Sequence, residues 1–179
     1  MLANKEHLDK WIAAGREHKR ADAPDVEVLL KSFSESLIKD DLLERRRIDL
    51  GHKKVEGITF NLYQPWYKSC PVGMIHDIVV ILDGKNIPRE DIQLILKGGQ
   101  RVMLFNARTI QDIWWNIVDP ITVFIPLPED LPPGDHELEV TLAEEISAYY
   151  EFPLNMLMGT TKASMRLVNE SDHEQRSTT

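Results

Sequence analysis

From Val55 to Leu142 the hydrophobic period is two, in short runs separated by turn residues, and few chains with that pattern can be anything but β. Val55, Gly57, Thr59 and Asn61 alternate with Glu56, Ile58, Phe60 and Leu62, and the apolar face is Ile58, Phe60 and Leu62. Ile75 to Leu82 is a largely apolar strand closed by Asp83-Gly84, a strong tight-turn signal. Ile92 to Leu96 and Val102 to Phe105 flank a turn at Gly98-Gly99, and Ile121 to Ile125 stops at Pro126 and Pro128. After Leu131-Pro132-Pro133-Gly134 the alternation returns, with Leu138, Val140 and Leu142 inward. No helical crossover separates consecutive strands, which disfavours a parallel α/β fold. The expected fold is mainly β, an antiparallel β-sandwich of immunoglobulin or jelly-roll type.

The period differs on either side. Leu8, Trp11 and Ile12, then Val26, Leu29, Leu30, Phe33 and Leu37, are spaced as helical stripes, broken at Ala21-Asp22-Ala23-Pro24. Ile38, Leu42 and Leu43 continue the second stripe, and Arg45-Arg46-Arg47 would suit a last helical turn. Residues 1–50 are therefore expected as a helical N-terminal extension and 53–150 as the sandwich domain. Residues 151–179, which lose the pattern, are expected as a partly disordered tail.

A formal net charge of -8 argues against a basic surface for nucleic acid. The single cysteine, Cys70, has no internal disulfide partner, and no Cys/His set spells a zinc site. The N-terminus lacks the apolar core of a signal peptide, and no run approaches the ~18 apolar residues of a membrane span. The expectation is a cytoplasmic protein with no membrane or nucleic-acid partner.

No nucleophile elbow, metal-ligand cluster or phosphate loop is legible, so no catalytic and no metal-binding residue is expected in this chain. The binding candidates are aromatic. Pro65-Trp66-Tyr67-Lys68 falls in a loop ending at Pro71, where Trp and Tyr offer large contact area to a sugar or a partner. Trp114 and Trp115 are neighbours, so in an extended segment one is core and the other exposed. His136, after the Pro-Pro-Gly loop, is read as a side chain bonding a backbone corner in preference to an acid or base. His76 and Asp77 are adjacent on a strand and should diverge. Cys70 has no base beside it in sequence and is read as a passive thiol. Asp130, Asp135, Glu144 and Glu145 lack calcium-loop spacing and read as a solvated acidic edge.

The ordered set Phe60-x-Leu62, Pro65-Trp66-Tyr67-Lys68 and Ile75-x-Asp77-Ile78-x-Val80-x-Leu82-Asp83-Gly84 resembles the small β subunit of bacterial C-glycoside deglycosidases. Ile87-Pro88 with Ile92, Ile113-Trp114-Trp115, Leu131-Pro132-Pro133-Gly134-x-His136-x-Leu138-x-Val140 and Ile146-Ser147-x-Tyr149 follow in order, covering roughly residues 55–150. The resemblance implies a non-catalytic sandwich subunit that pairs with a larger (β/α)-barrel α subunit in a higher hetero-oligomer. In that family the α subunit carries a divalent metal, with manganese expected, and none is implied in this chain. The complex cleaves the C–C bond between an oxidised, 3-keto sugar and its aromatic aglycone, such as a flavonoid, in a lyase-type reaction. Pro65, Trp66, Tyr67, Lys68, Trp114, Trp115 and Tyr149 are then the candidates for the partner interface or the mouth of the partner's active site. A stand-alone carbohydrate-binding sandwich is the alternative, and an independent enzyme using His136 a weaker one.

Overall fold

In the computed structural model the described residues are 37–49, 54–65, 69–127, 131–145 and 156–169, together with Ala13 and Glu35, both in helical conformation. The strands are β1 (Leu42–Asp49), β2 (Lys54–Leu62), β3 (Cys70–Pro71), β4 (Ile75–Leu82), β5 (Lys85–Asn86) and β6 (Gln93–Ile95). They continue as β7 (Arg101–Met103), β8 (Trp114–Trp115), β9 (Ile121–Pro126), β10 (Gly134–Glu145) and β11 (Met156–Asn169). The mainly β character is as expected. The helix reading of residues 1–50 fails for 42–49, which are strand, and otherwise falls largely outside the described residues.

Nine strands form one sheet in the order β5-β4-β10-β11-β1-β2-β9-β6-β7, while β3 and β8 make a separate two-stranded ribbon. Two packed sheets were expected, and β11 is the reason the ladders join into one. It pairs antiparallel with β10 from Glu145↔Met156 to Gly134↔Leu167, and parallel with β1 from Leu42↔Arg166 to Arg45↔Asn169. Residues 156–169, expected in a tail, therefore sit in the middle of the sheet. Leu82 and Val80 of β4 and Leu94 of β6, from strands near opposite ends of the sheet, share a single buried cluster with Ile58, Phe60, Leu62, Leu138, Val140 and Met165. A flat sheet could not bring them together, so the sheet curls around its core.

Local chemistry sets the corners. Asp83 (φ 49°) and Gly84 (φ 75°) both take positive φ, the type I′ geometry that matches strand twist, and β5 folds back on β4. Gly57 is required for packing: a Cβ there would lie 2.3 Å from the Phe124 ring and 2.4 Å from the Ile125 carbonyl oxygen. The arginine run lies on β1, where Arg47 stands opposite Glu56 of β2 and pairs with it, and Arg45 Nη2 donates to the Leu131 carbonyl at 2.7 Å. No helix among the described residues is long and apolar enough to cross a membrane.

Candidate functional site

The β3–β8 ribbon sorts the two tryptophans. Cys70 pairs with Trp115 and Pro71 with Trp114. Strand alternation sends Trp115 into the core, 2% exposed, where its indole N–H donates to the Asp119 carbonyl at 3.0 Å. Trp114 points outward and is 56% exposed. Ile117 and Val118, in the turn that follows, are exposed as well, so three large apolar side chains within five residues face solvent. Of the pair expected at an interface, only Trp114 is available; Trp115 belongs to the protein's own core. Pro65 is half-buried just beyond the end of β2. Trp66, Tyr67, Lys68 and Tyr149 lie outside the described residues.

A buried polar cluster links the ends of these segments. Cys70 Sγ donates to Glu144 Oε1 at 2.6 Å, and the Gln64 amide donates to Cys70 Sγ at 3.0 Å and to the same Glu144 oxygen at 3.3 Å. Glu144 is 1% exposed, which corrects its placement on a solvated acidic edge; Asp135 and Glu145 are exposed. Burial raises the Glu144 carboxyl above its usual range and raises the Cys70 thiol further, with the neighbouring carboxylate acting in the same direction. The thiol keeps its proton, and it is a donor and not a nucleophile. Among the described residues Glu144 Oε2 and Gln64 Oε1 are buried without a hydrogen-bond partner. Nothing in the sequence flagged this cluster, because its members are 6 and 74 residues apart from Cys70.

His136 does bond a corner. Its Nε2 lies 2.8 Å from the Pro132 carbonyl oxygen and its Nδ1 lies 2.7 Å from Asp83 Oδ2. Asp83 Oδ1 also accepts from the Glu137 backbone N–H at 2.9 Å, so the β4–β5 turn is tied to the start of β10. Partial burial pushes the Asp83 carboxyl upward, but the hydrogen bonds from His136 and Glu137 outweigh it and hold the group below its usual range.

His76 and Asp77 diverge, each with its own partners. Asp77 is buried, caps its neighbour's Ile78 N–H at 3.0 Å and accepts from Arg89 Nε at 2.9 Å. His76 Nδ1 lies 3.2 Å from Arg108 Nη1, and Arg108 Nη2 donates to Glu145 Oε2 at 2.9 Å. Desolvation first, and the Arg108 charge second, lower the His76 pKa, which favours the neutral ring.

Among the described residues no three His, Cys, Asp or Glu side chains gather where they could hold a metal ion.

Comparison with known proteins agrees with the motif series. The family model for the C-glycoside deglycosidase beta subunit matches residues 33–149, a span that runs from before β1 through β10. The C-glycoside deglycosidase beta subunit of Arthrobacter globiformis is 27% identical over 101 residues, covering 55% of this chain and 73% of that protein. A 3'-dehydrocarminate deglycosidase beta subunit from a Microbacterium species is 27% identical over 90 residues, 50% of this chain and 67% of the relative. The match takes in nearly every strand, the exposed tryptophan on its ribbon and the His136 corner, and this chain belongs to the C-glycoside deglycosidase beta subunit family.

Proposed function

We propose that this chain is the non-catalytic β subunit of a heteromeric C-glycoside deglycosidase. Its partner is a larger (β/α)-barrel α subunit that holds a divalent metal and cleaves the C–C bond of 3-keto C-glycosides. The β subunit docks on the barrel and shapes the approach to its active site. The observation that carries this reading is Trp114, a large aromatic side chain 56% exposed beside Ile117 and Val118, on a ribbon whose other tryptophan is fixed in the core. An aromatic anchor on a rigid element, ringed by smaller apolar groups, is the composition of an interface hot spot. Trp66, Tyr67 and Lys68, which stand between Gln64 and Cys70 in the sequence, are proposed as part of that contact.

Co-expression with the α subunit tests it. Trp114→Ala should weaken the complex by about 2 kcal/mol or more, roughly thirtyfold in Kd, without lowering the thermal midpoint of the isolated chain. Unchanged assembly by this variant would remove Trp114 from the interface. Sugar binding by the isolated wild-type chain, with no affinity for the barrel subunit, would favour a carbohydrate-binding module instead.

A further inference from the structure

The sheet is shielded on both faces. Ile58, Phe60, Leu62, Val123 and Ile125 point into the core cluster, so by strand alternation Thr59 and Phe124 point the other way. Phe124 is fully buried yet stands outside that cluster. Its cross-strand partners are Thr59 on β2 and Gln93 on β6, both buried. The row continues to Glu44 on β1 and Met103 on β7, both half-buried. Burying such a row on the outside of a sheet takes a second layer. Among the described residues β2, β6 and β9 make their main contacts with the strands beside them, which lie in the sheet and do not form that layer. The row is shielded within the lone chain, so the layer comes from this chain's own sequence.

Reach and composition select the segment. Residues 170–179 contain no apolar side chain. Residues 146–155 join the far ends of β10 and β11, about 36 Å of strand from the level of the row, beyond the reach of a loop that must return to its start. Residues 50–53, 66–68 and 128–130 are too short to shield a row five strands wide. The chain ahead of Leu37 remains. Behind Pro24, the residues Val26, Leu29, Leu30 and Phe33 recur at helical spacing. A helix over 24–36 is about 20 Å long, against about 19 Å for the width of the row. Glu35 is helical and exposed, and two positions past Phe33 it falls on the opposite side of such a helix. The point of entry fits as well. The Leu37 carbonyl accepts from the Tyr63 N–H at 2.8 Å, Lys39 Nζ lies 4.4 Å from the centre of the Tyr63 ring, and the Asn61 amide donates to Asp40 at 3.3 Å. Asn61 and Tyr63 follow Thr59 in steps of two, so the chain meets the sheet at the margin of the same face.

We propose that residues 24–36 dock as an amphipathic helix on the outer face of β2, β9 and β6, with Leu29, Leu30 and Phe33 against Phe124. The arm is a cover for its own sheet and not a clasp for a neighbouring chain, and it closes this face to a partner subunit. The family match begins at residue 33, so nearly all of the segment lies outside what the family shares, and the docking is independent of the deglycosidase reading.

Thiol labelling of the full-length chain tests it. Thr59→Cys puts a near-isosteric thiol in the middle of the row, and the buried Cys70 reports whether the rest of the fold is intact. Under native conditions a water-soluble maleimide should label Thr59→Cys at least about tenfold more slowly than a cysteine placed by Val118→Cys at an exposed position. Adding Leu29→Asp and Phe33→Asp should raise the Thr59→Cys rate about tenfold or more while Cys70 stays unlabelled, because a carboxylate set against Phe124 favours the undocked arm. Should Cys70 label too, Phe33→Ala takes the place of the pair with the same expectation. Rapid labelling of Thr59→Cys with 24–36 intact overturns the proposal. A rate that ignores the substitutions in 24–36 while Cys70 stays protected overturns it as well.

Discussion

Glu144 is the residue whose environment departs furthest from its sequence context. It lies near the end of β10, a strand of alternating polarity, and precedes another glutamate, yet it is 1% exposed with the Cys70 thiol as its donor. Burial raises its pKa, so ionising it costs the folded state more than the unfolded one. The stabilising contribution is therefore complete below the unfolded value of about 4.3 and is lost as pH rises through the higher folded value. Glu144→Gln cannot ionise and should remove that loss. Its denaturant midpoint relative to wild type should rise as pH climbs above about 4.3, and a difference that stays constant with pH would contradict the burial argument. Asp83 has the opposite sign. Its folded pKa is depressed, so its contribution is present above about 3.9 and lost as pH falls through the folded value. Asp83→Asn should therefore cost stability near pH 7 and little at pH 2, measured by the same melts. Gly57 is a third position where one atom matters. Gly57→Ala places a methyl group inside the Phe124 contact and should cost about 1–3 kcal/mol by chemical denaturation.

At the scale of elements, the strands that the sequence announces are those with full apolar alternation. β2, β4, β9 and β10 carry Ile, Val, Leu and Phe on their inner faces and were legible. β11 was not, because over 159–167 the alternate positions that are buried or half-buried are the small Gly159, Thr161 and Ala163 before the larger Met165 and Leu167. The period of two is present, with Lys162, Ser164 and Arg166 exposed between them, but its apolar amplitude is low. β1 hid for a different reason. Its fully buried apolar residues, Leu43 and Ile48, are five apart, a spacing that breaks strand alternation, and its place is set by ladders to β11 and β2. Met165 separates a central strand from a tail. Met165→Ala should cost about 2–5 kcal/mol if β11 holds the middle of the sheet, and close to nothing in a segment that packs on nothing.

For the molecule as a whole, β11 decides the architecture. Hydrogen-bonded to β10 on one side and β1 on the other, it turns an expected pair of sheets into one curled sheet. The sheet ends on the two-residue β5 and the three-residue β7, short edges that offer little to another strand. Contact with a partner then falls to side chains, and Trp114 is the most exposed aromatic among the described residues. Of the candidate site, the sequence exposed its aromatic part, since a Trp-Trp pair on an extended segment must put one ring outward. It could not show a bulge in β4 at His76, which arises only when β4 and β10 are in register, nor the approach of Arg108 from 32 residues away. The account stands or falls on association. Co-expression of the full chain with its barrel-type α subunit, followed by size exclusion with light scattering, should give a stable mixed complex that Trp114→Ala weakens. A monodisperse lone chain, with no mixed species at micromolar concentration, would contradict it.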